Sequence, residues 1–263
     1  MNSLVVFMYH GLYRGDRELD TIDASERPYA ISLEKFEQQL DSLARSGIPV
    51  LDPDSLTTGA VLRGGVVLTF DDGHESNFRH ALPILADRGI RGAFFVTSDF
   101  IGKRPGYCSW MQIREMADRG MLIGSHGRTH RFFDDMTAEE AESELRTSKD
   151  AIEQAIASPV RQISFPGGRY RGDQIAIGRR VGYQLFHSSR IGATAPQRVS
   201  TGAVLCRIPI RRTTTDEAFD AYARADSMTL LRARFLAGAK QGIRYLMGNR
   251  LYHRLYERVA GRG

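Results

Sequence analysis

Eight short apolar runs recur along the chain: LVVFMY, IPVL, GVVLTF, GAFFVT, MLIGS, QISF, YQLFHSS and VLCRIPI. Most of them do not alternate apolar with polar positions. A strand with one wet face alternates, so these runs predict strands buried on both faces, as in a parallel sheet covered by helices. Helical patterns lie between many of them. Residues 33–46 place Leu33, Phe36, Leu40 and Leu43 at three- and four-residue spacings after Ser32, and Gly47 ends the pattern. Ser109 with Gln112, and Thr137 with Glu140, stand in capping-box relation at the heads of two further helices, over 109–119 and from about 138. The alternation runs from near residue 4 to about residue 220 and predicts an α/β fold, either a doubly wound sheet or a barrel. Seven or eight strands favour the barrel.

Nothing in this stretch reads as a linker, a repeat or a low-complexity tract, and 263 residues at 42% hydrophobic suffice for one large core. Cys108 and Cys206 are far apart with no Cys-x-x-Cys spacing, which argues against a disulfide framework and a cysteine zinc site. The opening MNSLVVFMYH has no basic residue before its apolar run, so it reads as the first strand. No stretch reaches the roughly 18 to 20 apolar residues of a membrane span. The expectation is a cytoplasmic protein. A net charge of +5 comes without any nucleic-acid motif, so no nucleic-acid partner is expected. From residue 229 the sequence changes to basic residues among apolar ones at helical spacing, which divides the chain into residues 1–225 and a basic helical extension, 226–263. That extension suits peripheral contact with the anionic inner face of a membrane, or packing on the barrel or another subunit.

In parallel α/β folds ligands gather at the carboxyl ends of the strands. His10, Asp71 with Asp72, Ser98 with Asp99, Ser125 with His126, and Pro166 with Gly167 all follow predicted strands. Two adjacent carboxylates repel unless a cation or hydrogen-bond donors compensate, although Asp-Gly is also an ordinary turn pair. SHGRTH sets His126 and His130 four apart, so a helical turn would aim both rings at one point; chance spacing is the alternative. One carboxylate with two imidazoles and open positions is a common catalytic set for zinc or a similar ion, and Asp72 would complete it.

LTFDDG, IGSHGRTH and ISFPGGRY, in this order, resemble the first three motifs of the polysaccharide deacetylase family, carbohydrate esterase family 4. The similarity runs over about residues 4–215. It implies a distorted, incomplete (β/α) barrel of about seven strands, to which the basic C-terminal helices read from the sequence, outside the similarity, are appended. It also implies removal of acetyl groups from N-acetylated sugars with a divalent metal, zinc first, with cobalt, nickel or manganese as alternatives. By position, Asp71 matches the general base, and Asp72, His126 and His130 match the metal ligands. The arginine that many members carry before the third motif's prolines is replaced by Ser164. Arg169 is either its substitute or an exposed loop arginine.

The backbone N–H of Gly167 is a candidate oxyanion donor. Tyr170, Trp110, Phe132 and Phe133 are either sugar-stacking or core aromatics. The family's late histidine has no counterpart in VLCRIPIRR, but a branch acting on exopolysaccharide precursors carries it in an N-terminal YH pair, which Tyr9 and His10 match. His10 is then the general acid, or else a structural histidine at a strand end, with His187 in reserve. His74, His80 and His253 have no motif support and are expected at the surface or on helices. The function implied is hydrolysis of the N-acetyl group of an N-acetylhexosamine in a polysaccharide, oligosaccharide or cell-envelope glycan precursor. A hydrolase of another linear amide and a noncatalytic carbohydrate-binding or assembly protein are the alternatives.

Overall fold

The computed structural model describes residues 3–58 and 64–238. Nine strands lie among the described residues: β1 (Leu4–Tyr9), β2 (Leu12–Tyr13), β3 (Ile31–Ser32), β4 (Gly65–Phe70), β5 (Ala93–Val96), β6 (Leu122–Ser125), β7 (Gln162–Ser164), β8 (Leu185–His187) and β9 (Ile208–Pro209). Seven of them form one parallel sheet in the order β8-β7-β6-β5-β4-β1-β9, and β2 pairs with β3 apart from it. Every residue of β1 and of β4 is buried, which is the physical reason that neither run alternates.

The sheet curls into a half-barrel. The segment from Leu205 to Ile210 spans its open side. Leu205 N–H donates to the Phe186 carbonyl (2.8 Å) and its own carbonyl accepts from Ser188 N–H (2.9 Å), while Ile210 N–H donates to the Met8 carbonyl (2.9 Å). One end of this short segment is thus tied beside β8 and the other beside β1, as in an incomplete (β/α) barrel.

Two of the eight apolar runs contribute less strand than expected. IPVL supplies only an isolated bridge, Val50 to Val66, and VLCRIPI only the two residues of β9. Pro49 and Pro209 lack the N–H that a longer ladder needs.

The predicted helices form with their predicted ends. Leu33–Ser46 starts at Ser32, whose Oγ accepts from Lys35 N–H, and stops at Gly47 in the left-handed region (φ 67°). Trp110–Asp118 and Ala138–Ile156 each carry a complete capping box. Tyr9, the last residue of β1, donates its hydroxyl to Gln39 of the first helix (2.8 Å) and stacks on Phe70, so it belongs to the core.

The chain divides into two compact units, residues 1–225 and 226–263. In the second, residues 227–238 are helical, and Asp226 caps them by accepting from the N–H and hydroxyl of Thr229. Residues 239–263, His253 among them, lie outside the described residues. No described helix is long and apolar enough to cross a membrane.

Candidate metal centre and catalytic site

β4 ends at Phe70, and the next two residues diverge. Asp71 N–H is held by the Tyr9 carbonyl (2.9 Å), which keeps it on the sheet's line. Asp72 then turns into the left-handed region (φ 76°), followed by Gly73 (φ 89°). Such a conformation is sparsely populated without glycine, and it rotates the second carboxylate away from the first. His130 is held in the same region (φ 64°).

The Asp72 carboxylate meets imidazoles. Its Oδ1 lies 3.3 Å from His126 Nε2 and 3.1 Å from His130 Nε2, and one ligand atom from each of the three residues falls within 4.8 Å of the others. His126 Nδ1 is 2.7 Å from the Ser164 carbonyl, which can only accept, so Nδ1 carries the proton. In the neutral ring Nε2 then presents a lone pair toward a carboxylate oxygen. Asp72 Oδ1 is buried and receives no aligned hydrogen bond.

Lone pairs facing one another across about 3 Å repel unless a cation lies between them. For bonds of about 2.0 to 2.1 Å at a tetrahedral centre, neighbouring donors stand about 3.3 Å apart, close to the separations seen here. The residues present therefore fit a small divalent ion. Burial opposes charge on Asp72, but the imidazoles of His126, His130 and His74 outweigh it and hold the carboxyl well below its usual range.

Asp71 has different partners. Arg207 donates to both of its oxygens, Nη1 to Oδ1 and Nη2 to Oδ2, each at 2.7 Å. Ser164 donates its hydroxyl to Oδ2 (3.1 Å) and accepts from Arg207 Nη2 (2.7 Å). Arg207 is fully buried, with its Nε on the Ser188 carbonyl (2.8 Å). Burial alone would raise the carboxyl of Asp71, but the charge and hydrogen bonds of Arg207 bring it down to about 2.

The charge missing at Ser164 is thereby supplied by Arg207, which directly precedes β9. Arg169 does not reach Asp71: it pairs with Asp134 and Asp135 and lies over the Phe132 ring (4.4 Å). The small Ser164 leaves the space that Arg207 fills from the segment closing the half-barrel. In sequence, nothing but its place in the middle of the strand run VLCRIPI marked Arg207.

His10 follows β1 and places Nε2 4.0 Å from Asp72 Oδ2, with its ring against Tyr29. Burial lowers its pKa, against the pull of Asp72 and Asp71. Its Nδ1 is buried without a partner. His187 is fully buried behind Asp71, packed on Phe95 and bonded through Nε2 to Gln162 (3.0 Å). Burial and Arg207 push it down to about 3, so near neutral pH it is uncharged and offers no imidazolium acid.

His74 is a correction. It was expected at the surface or on a helix, but Gly73 turns the chain back and buries it, with Nε2 3.6 Å from both Asp72 and Glu26 and its ring stacked on Tyr107. His80, on a single π-helical turn, Asn77–Ala81, pairs with Glu18 of the helix Gly15–Thr21.

Glu144 is a second residue that sequence reasoning missed. From the buried face of Ala138–Ile156 it accepts from Arg128 N–H, Thr129 N–H and the Thr129 hydroxyl, fixing the loop that carries both histidines. Gly167 sits at an exposed turn where a Cβ would meet the Phe132 ring at 2.8 Å. Tyr170 stacks on Phe165, and Phe133 is wholly in the core against the same ring. Trp110 opens its helix half-buried.

Residues 59–186 match the family model for polysaccharide deacetylase. YxkH of Bacillus subtilis, whose name places it among polysaccharide deacetylases, is 25% identical over 225 residues, covering 84% of this chain and 76% of that one. The peptidoglycan-N-acetylmuramic acid deacetylase PdaA of the same organism is 26% identical over 133 residues, and the chain spans about half of its length. The solved structure of IcaB from Ammonifex degensii superposes with a TM-score of 0.70 at 27% identity, covering 86% of this chain and 98% of that one. His10 and Arg207 fall outside the matched segment, whereas Asp71, Asp72, His126 and His130 fall inside it. With these motifs brought together at the ends of the strands, residues 59–186 carry a polysaccharide deacetylase domain.

Proposed function

We propose that the protein is a metal-dependent deacetylase that hydrolyses the acetamido group of an N-acetylhexosamine within a glycan or glycan precursor, with zinc as its metal. The observation that carries this reading is the division of labour between adjacent carboxylates: Asp72 faces three imidazoles and Asp71 faces a guanidinium. Asp72, His126 and His130 would hold the metal. When bound, it supplies a Lewis acid that polarises the acetyl carbonyl and acidifies water.

The remaining work falls to the chain's own groups. Asp71, ionised and held at both oxygens by Arg207, takes a proton from the attacking water. As the C–N bond breaks, the nitrogen needs a proton, because an amine cannot leave as an anion near neutral pH. His10, on the same rim, delivers it. The products are acetate and a free amino sugar. Gly167 and Tyr170, on the turn after β7, are assigned to the substrate side of the site.

The test is acetate release from N-acetylglucosamine oligomers before and after chelation, with zinc, cobalt, nickel or manganese restored in turn. Release that stops with chelator and returns with metal supports the reading. Failure with every metal, alongside cleavage of a non-sugar linear amide, would replace the substrate class.

A further inference from the structure

The net positive charge of this protein is not spread over its fold. Residues 226–263 hold eight Lys and Arg against two acids, Asp226 and Glu257, whereas residues 1–225 hold 28 basic against 29 acidic side chains. The unit that carries the catalytic groups is thus slightly acidic, and the whole excess lies in the other. Within residues 227–263 no stretch longer than five residues lacks a charged side chain, which rules out a membrane-spanning segment there.

The described helix of that unit has a definite face. Met228, Leu231, Phe235 and Leu236 occupy the i, i+3, i+7 and i+8 positions of residues 227–238, and all four are exposed, Phe235 at 75%. Leu230, on the other side of the helix, is buried. Arg232 lies within the apolar stripe and Arg234 at its margin, so the exposed face combines large apolar side chains with positive charge. Residues 239–263 continue that composition in sequence, with Lys240, Arg244, Arg250, Arg254, Arg258 and Arg262 among leucines and tyrosines.

We propose that the helix over residues 227–238 is a docking element for an anionic lipid surface, with Met228, Leu231, Phe235 and Leu236 entering the headgroup boundary and Arg232 meeting lipid phosphates. A second copy of this chain is the poorer occupant, because pairing the two elements would bring two strongly basic segments together. An anionic bilayer matches both the charge and the apolar stripe. Docking would hold the catalytic unit beside glycans assembled at that surface.

The test is sedimentation of the full-length protein with vesicles of phosphatidylcholine containing about one-third phosphatidylglycerol, and with pure phosphatidylcholine vesicles, at low and high salt. The expected result is binding to the anionic vesicles alone, lost at high salt. Leu231→Glu with Phe235→Glu should weaken it by on the order of tenfold or more, as should Arg232→Glu, since each basic side chain contributes about fivefold near such a surface. Acetate release from soluble oligomers and the melting temperature should be unchanged in both variants, which separates this inference from the catalytic reading. Absence of binding to anionic vesicles at low salt overturns it, as does equal binding to neutral vesicles or indifference to both variants. A dimer in analytical ultracentrifugation that Leu231→Glu with Phe235→Glu dissolves would reassign the face to contact between copies.

Discussion

Asp71 accepts two guanidinium bonds and a hydroxyl, and Asp72 faces three imidazoles, so substitutions at these neighbours should part company. Asp72→Ala, His126→Ala and His130→Ala are each expected to lose metal and activity together, whereas Asp71→Asn should keep metal and lose turnover; metal analysis beside acetate release distinguishes them. His10→Ala should retain metal and fold but lose on the order of 10²-fold or more in amide turnover, while an activated ester, whose leaving group needs no proton, is spared. Survival of amide turnover in that variant would remove His10 from the mechanism. Arg207→Met leaves the buried Asp71 without its cation and should cost about 3 to 5 kcal/mol in urea unfolding, with metal retained. The histidine pair was legible in sequence because its partners are four residues apart. Arg207 was not, because its partner lies 136 residues away and its neighbours read as an ordinary strand.

Elements position these residues as much as their own chemistry does. The loop from His126 to His130 has no regular structure, and Glu144 of the helix Ala138–Ile156 holds its backbone from below. Glu144→Ala should therefore weaken metal binding by about 10- to 100-fold, the usual scale for a residue that orients ligands, with the helix intact by circular dichroism. An unchanged metal affinity would show that the loop holds itself. The turn after β7 depends on close approach: a Cβ on Gly168 would come within 2.2 Å of Ser189 N at φ 68°, so Gly168→Ala should be strongly destabilising. The helix ends were legible because caps are local grammar. Glu144 was hidden for a related reason: an acid on an amphipathic helix reads as solvent-facing until the loop that covers it is in place.

Across the whole molecule, the interior of the half-barrel is polar as well as apolar, and this carries a pH signature. Gln162 Nε2 donates to the Pro53 carbonyl (2.8 Å), which turns its oxygen toward His187 and requires a proton on His187 Nε2. Neutral His187 has a pKa near 3 in the fold against about 6.5 when unfolded, so the unfolded chain binds more protons between those values. Stability should fall as pH drops from about 6.5 toward 3, and His187→Gln should flatten that slope in urea titrations with chelator present. An identical slope would locate the titration elsewhere. The parallel α/β architecture was readable from unalternating runs, but the closing segment was not, since prolines cut its ladder to two residues. That segment also sets an order of events. As the chain emerges during synthesis, both histidines and both aspartates are available once residue 130 has appeared, yet Asp71 stays without its counter-charge until residue 207 arrives. Closing the half-barrel and giving Asp71 its counter-charge are therefore one late step, and a chain cut before residue 207 would carry all three motifs with Asp71 unpaired by Arg207.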